Sequence, residues 1–255
     1  MTDGAPIRVT HELFDDLTVL VAAAASQFAS VCEEAVAVRG SFRVALSGGS
    51  TPIKLHQVLA AEPYRSRLPW KDVEFFWGDE RAVPPDDPQS NFGMARDTLL
   101  EPLGINEAQV HRMRGELPPQ AAALLCEQEM RSLFGTAEGE FPTFDLILLG
   151  MGPDGHAASL FPGTSALHET QRLVVANDVP QLNTTRITMT APLINAAGAV
   201  YFLVAGADKA DALAEVLEGV PNIETYPSQL ISPSHGELRW LVDRAAAAKL
   251  AEGQG

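Results

Sequence analysis

The sequence predicts an α/β fold, a mostly parallel sheet with helices on both faces, and two observations carry that expectation. Short apolar runs alternate with Ala-rich or amphipathic stretches of helical period along the whole chain, the pattern of successive βα units. Several of those runs end in glycine-rich loops bearing polar side chains, which is where folds of this class place ligands.

In chain order, residues 7–9 read as a short first strand, and residues 13–38 as an Ala-rich helix stopped by Gly40. Phe42–Leu46 reads as a strand; Thr51 followed by Pro52 looks like the N-cap and first residue of the next helix. Val73–Trp77 is another strand, ending at Gly78-Asp79-Glu80-Arg81 before a proline-rich loop over 82–90. Helical patterns follow over 91–100 and 118–134, then an apolar run over 144–149 that suits a buried strand. Strands are expected at 172–176, 186–190, 200–204 and 238–242, with helices at 191–197, 208–217 and 244–251. No repeat, low-complexity tract or linker interrupts the series, so one domain over residues 1–255 is expected.

Composition narrows the function. With 46% hydrophobic and 20% charged residues the chain can bury a sizeable core. Its 18 basic and 33 acidic residues give a net charge of −15, which argues against nucleic acid or an anionic membrane as partner. A small anionic ligand would need local cations to overcome that field. Cys32 and Cys126 both fall in helical stretches and read as reduced core residues. The N-terminus lacks a basic leader, and the apolar run over 17–25 is short for a membrane span, so a cytoplasmic protein is expected.

Three loops hold the candidate chemistry. Gly150-Met151-Gly152-Pro153-Asp154-Gly155-His156 follows the buried strand and brings an acid within two positions of an imidazole, an acid–base arrangement. Gly150, Gly152 and Gly155 also spell a dinucleotide fingerprint, but Pro162-Gly163 stops the long helix that such a site requires. Ser47-Gly48-Gly49-Ser50-Thr51-Pro52 joins a strand to a helix and offers backbone N–H groups, hydroxyls and a helix dipole, suited either to phosphate or to a tight capped turn. Arg81 can grip a phosphate bidentately or pair with Asp79 or Glu80. Lys209, in the first turn of a helix, opposes the dipole and so favours an anion partner; Arg186 is a weaker candidate. His11, His56, His111, His168 and His235 default to the surface and show no metal-ligand spacing. No Gly-x-Ser-x-Gly elbow is present, so water activated by His156 is the expected nucleophile in any hydrolysis.

The loop at 47–52, the stretch from Gly78-Asp79-Glu80-Arg81 to Gln89-Ser90-Asn91, and the loop from Gly150 to Gly163 together resemble the glucosamine-6-phosphate isomerase/6-phosphogluconolactonase family, in order from about residue 7 to residue 243. The resemblance implies a modified, Rossmann-like doubly wound fold. It also implies hydrolysis of 6-phospho-D-glucono-1,5-lactone without a cofactor; with no metal-ligand spacing, metal independence is expected, as is a monomer or small homo-oligomer. It makes His156 the base with Asp154 beside it, and assigns substrate and phosphate to Ser47, Gly48, Gly49, Ser50, Thr51, Asp79, Arg81, Arg186 and Lys209. Deaminases of the family have Asp-Glu-Tyr where this chain has Asp79-Glu80-Arg81, and a glutamate at the position of Phe161; Phe161 cannot supply the acid–base partner that amino-sugar ring opening needs, which favours the lactonase. A catalytically silent sugar-phosphate sensor is the other reading that the resemblance allows.

Overall fold

Leu146-Ile147-Leu148-Leu149 has no polar position because the strand it forms is buried on both faces. In the computed structural model, which describes residues 8–233 and 235–251, this holds for the centre of the sheet. The strands are β1 (Arg8–Phe14), β2 (Phe42–Leu46), β3 (Val73–Trp77), β4 (Asp79–Arg81), β5 (Leu146–Leu149), β6 (Val174–Val179), β7 (Thr184–Met189), β8 (Ala199–Val204) and β9 (Glu237–Asp243). Six form a sheet in the order β1-β9-β8-β5-β2-β3, and each neighbouring pair is parallel. The remaining three form a small antiparallel sheet, β4-β7-β6, which the sequence pattern did not announce.

Alternation along each strand divides the core in two. Ala45, Phe76, Ile147, Leu149, Val200, Phe202 and Trp240 point to one face; Val44, Phe75, Leu146, Leu148, Tyr201 and Leu241 point to the other. The helices are α1 (Leu17–Arg39), α2 (Ser50–Leu59), the short α3 (Tyr64–Arg67), α4 (Asn91–Ala95), α5 (Glu101–Leu103), α6 (Pro119–Phe134), α7 (Ala191–Asn195) and α8 (Ala210–Glu218). Apolar faces of α1 and α2 pack with the second set of strand residues, those of α6, α7 and α8 with the first. The sheet is therefore covered on both sides.

Several boundaries differ from the sequence reading. Of the expected first strand, Ile7 lies outside the described residues, and β1 runs on to Phe14, so the first helix starts at Leu17 rather than residue 13. Asp16 caps it, accepting from the N–H of Thr18 at 2.7 Å and Val19 at 3.0 Å, and Gly40 ends it at φ 75°. At 23 residues α1 is long and apolar enough to cross a bilayer, longer than the 17–25 run suggested; Leu20, Ala24, Phe28 and Cys32 instead lie in the core. α2 is capped by Gly49 at φ 110°, not by Thr51; Pro52 still falls in the first turn, where no N–H is needed. α4 continues through a π turn over Arg96–Leu100 into α5. Residues 244–250 form turns and no helix: Ala247 N–H bonds Asp243 O, Leu250 N–H already turns back to Ala247 O, and the ladder does not propagate.

Candidate functional site

The chain leaves β2 for β3 on one side, and later places β5 on β2's other side. Their carboxyl ends thus flank a topological switch point, where open α/β sheets bind ligands. Four segments meet there: Ser47-Gly48-Gly49 after β2, Asp79 and Arg81 beyond β3, Gly150 to His156 after β5, and the segment reaching Lys209 after β8. They line a cleft of about 500 Å³.

Gly152 and Gly155 shape the acid–base loop. A side chain on Gly152 would sit 2.1 Å from His156 Nδ1, so only glycine lets the backbone pass under the ring. Gly155 turns at φ 76° against Tyr226. The result brings His156 Nδ1 to 2.5 Å from Asp154 Oδ1, which also accepts the His156 backbone N–H at 3.3 Å. A carboxylate only accepts, so Nδ1 carries the proton and Nε2 is the free basic atom. Partial burial opposes the charge on Asp154, but its hydrogen bond and attraction to His156 outweigh that and hold the carboxyl below the ordinary range. The other face of the imidazole stacks on Phe161, centroids 4.1 Å apart.

The cations come from the small sheet. Arg81 in β4 and Arg186 in β7 are direct cross-strand partners. Arg81 Nη1 donates to Gln89 O, and its buried Nε has no partner. Among the described residues, neither guanidinium has a carboxylate within ion-pair distance, so the expected alternative, a pair with Asp79 or Glu80, does not form. Burial pulls Arg186 below its ordinary value, and the charge of Arg81 pulls it further. Lys209 also lines the cleft, with Asp208 2.9 Å from its Nζ.

Asp79 and Glu80 brace the site. Asp79 Oδ2 accepts from Ser159 Oγ at 2.5 Å, and Oδ1 from Asn91 Nδ2 at 3.2 Å, tying β4 to the His156 loop and to α4. Glu80 is buried and accepts the backbone N–H groups of Arg81, Asn91 and Phe92 at 2.7–2.8 Å, completing the start of α4. Burial nonetheless pushes its carboxyl up, with those donors pulling the other way.

Of the residues singled out in the sequence, Ser47, Gly48, Gly49, Asp79, Asp154, His156, Arg81, Arg186 and Lys209 line the cleft. Ser50 and Thr51 do not, because the helix begins at Ser50 and carries both away from it. Ser47 Oγ is buried without a partner. Asn91, Ser159 and Leu182 also line the cleft and were missed. Asn91 packs so closely on Gly48 that a Cβ there would lie 1.8 Å from its Oδ1, a pairing that only the fold reveals. His56 and His111 are buried, not superficial: His56 faces Thr98, and His111 stacks on Phe76 at 4.6 Å beside Glu129. Both cysteines are free and buried, and burial pushes each thiol up to about 12.

The glucosamine-6-phosphate isomerases/6-phosphogluconolactonase family matches residues 15–240. A 6-phosphogluconolactonase of Nostoc is 42% identical over 245 residues, covering 96% of this chain and 99% of its own. One from Synechocystis is 46% identical over 219 residues, covering 85% and 88%. The structure of 6-phosphogluconolactonase from Trypanosoma cruzi superposes with a TM-score of 0.84 at 27% identity, over 98% of this chain and 99% of that one. With a match over most of its length and relatives above 40% identity, this chain belongs to the glucosamine-6-phosphate isomerase/6-phosphogluconolactonase family.

Proposed function

We propose that the chain hydrolyses 6-phospho-D-glucono-1,5-lactone to 6-phosphogluconate, the oxidative pentose phosphate step. One observation carries the reading: a His156–Asp154 dyad shares a cleft with the Arg81–Arg186 pair, which among the described residues has no carboxylate within ion-pair distance. Two adjacent guanidiniums in a chain of net charge −15 suit a dianionic phosphate. Lys209 and the N–H groups of the Ser47 to Gly49 loop add to that subsite.

Phosphate anchored there orients the ring so that its carbonyl carbon meets water beside His156 Nε2. Nε2 takes a proton as the water oxygen bonds to the carbon, and the Asp154 carboxylate stabilises the imidazolium. The tetrahedral intermediate then expels the ring oxygen, which recovers the proton from Nε2 and leaves a free hydroxyl and a carboxylic acid. Phe161 against the ring brings no second acid–base group, which weighs against amino-sugar ring opening and deamination. The same reading makes the chain one cytoplasmic lactonase domain acting on a small molecule, as a monomer or small homo-oligomer.

Acid release from enzymatically generated lactone, measured with and without the protein and corrected for spontaneous opening, tests the assignment. Acceleration supports it. Ammonia release from glucosamine 6-phosphate at a comparable rate would overturn it.

A further inference from the structure

Lys209 reaches the cleft from the loop that follows β8. After β8 ends at Val204, the chain passes through Gly206 at φ 103° and ψ 142°, a conformation open almost only to glycine. Its carbonyl accepts the Lys209 N–H at 3.1 Å, starting the 3-10 turn Ala207–Lys209. The orientation of the Gly206 peptide therefore sets where Lys209 begins. The Gly206 N–H points to the buried Asp243 at the end of β9, whose Oδ1 and Oδ2 lie 3.1 and 3.2 Å away. Asp243 Oδ1 also accepts Ala246 N–H at 2.7 Å, so the carboxylate is held from the far side.

β8 and β9 are parallel neighbours, with Val204 opposite Val242. The carboxylate one residue beyond Val242 is thus presented to the loop two residues beyond Val204 by the register of the sheet. We infer that Asp243 is a positioning residue for substrate: it fixes the Gly206 peptide, and through it aims Lys209 into the cleft. Asp243 does not line the cleft itself, so it acts only through the lysine. The inference rests on the proposal that Lys209 binds the substrate phosphate.

A double-mutant cycle tests it, read as KM for the lactone and as Kd for 6-phosphogluconate. Asp243→Asn keeps the volume and an acceptor for the Ala246 N–H, whereas Asp243→Ala removes the acceptor that holds the turn after β9. Asp243→Asn is expected to raise KM and Kd about 3- to 10-fold, the scale of one weakened hydrogen bond, with kcat within about 2-fold. In a Lys209→Ala background the same change should add less than about 2-fold, since the group it aims is gone. Equal effects in both backgrounds, or wild-type KM and Kd in Asp243→Asn, would overturn the inference. Lys209→Ala with unchanged KM would overturn it too. Absent turnover in the wild type would overturn the assigned reaction instead, while the Kd cycle still reads the role of Asp243.

Discussion

Arg39, at the end of α1, meets Asp145; Arg43, in β2, lies 3.8 Å from Glu74; and Glu127 sits between Arg131 at 3.1 Å and Arg172 at 2.8 Å. Among the described residues, Arg81 and Arg186, cross-strand partners, have no carboxylate within ion-pair distance. Those scaffold arginines are thus neutralised by carboxylates, whereas the cleft keeps two like charges side by side. In an acidic protein carboxylates are abundant, so leaving these guanidiniums unmatched reflects placement and not shortage. The difference teaches that a binding subsite can be found by which charges lack partners. Lys209, paired with Asp208 at 2.9 Å, has to leave that pair to join the two arginines on an anion.

The largest effect should come from the group doing chemistry. His156→Ala is expected to lower the corrected hydrolysis rate about 10²–10⁴-fold, the usual loss for a general base, with product affinity near wild type. The loop keeps its shape without the ring, since Gly152 N–H bonds His156 O at 2.8 Å and the His156 N–H bonds Asp154 Oδ1 at 3.3 Å. A steady-state rate near wild type would remove His156 from the mechanism and make Asp154 the next candidate base.

Next in size is the cation pair. Arg186→Ala should raise KM about 10- to 100-fold, the range of a lost charged hydrogen bond, while the melting temperature holds or rises as repulsion from Arg81 is relieved. Arg81→Ala is less clean, because its guanidinium also holds Gln89 O. An Arg186→Ala protein that melts earlier but keeps its KM would mean that the pair is structural, and the contrast with the scaffold would collapse.

Much of this contrast was legible in the sequence because its signals are local. Leu146–Leu149 reads as a two-faced strand, Gly40 as a helix stop, and Asp154 with His156 as a dyad, since each depends on neighbours within a few positions. The Arg81–Arg186 register is different. It arises from antiparallel pairing of β4 with β7, segments far apart in sequence, and no periodicity announces which residues will face one another. For the same reason no local pattern announced that Asp79, which lines the cleft, would accept from Ser159 and Asn91. Thr51 was mistaken for the cap because Thr-Pro is a strong local signal, and Gly49 at φ 110° overrides it by starting the helix earlier.

His56 tests the neutralising rule of the scaffold at intermediate size. Thr98 Oγ1 donates to Met94 O, so it accepts from His56 Nδ1–H at 2.9 Å, and Nε2 is left bare and buried without a partner. Burial pushes the imidazole from 6.5 down to about 4. The unfolded chain takes up that proton first, so the contribution is whole above about 6.5, erodes as pH falls, and is gone below about 4. Denaturant titrations should show stability declining through that window more steeply in wild type than in His56→Gln. Parallel profiles would mean that His56 is protonated within the fold.

The smallest effect should come from a paired scaffold arginine. The Arg39 side chain is 55% exposed, and its partner Asp145 also accepts the Arg43 N–H at 2.7 Å, so Arg39→Ala leaves the carboxylate with a donor. An exposed pair of this kind is worth about 0–1 kcal/mol, a melting shift of at most about 2–4 °C in a chain of this size. KM and kcat should not move. Arg39→Ala and Arg186→Ala each make the net charge more negative by one, from −15. If phosphate affinity followed only the overall field, both would raise KM alike. Screening over about 8 Å at physiological salt confines each arginine to its own surroundings, so only the unpaired one should matter. Matching KM increases in the two variants would show that anion binding here depends on total charge, and that the lack of partners around Arg81 and Arg186 is incidental.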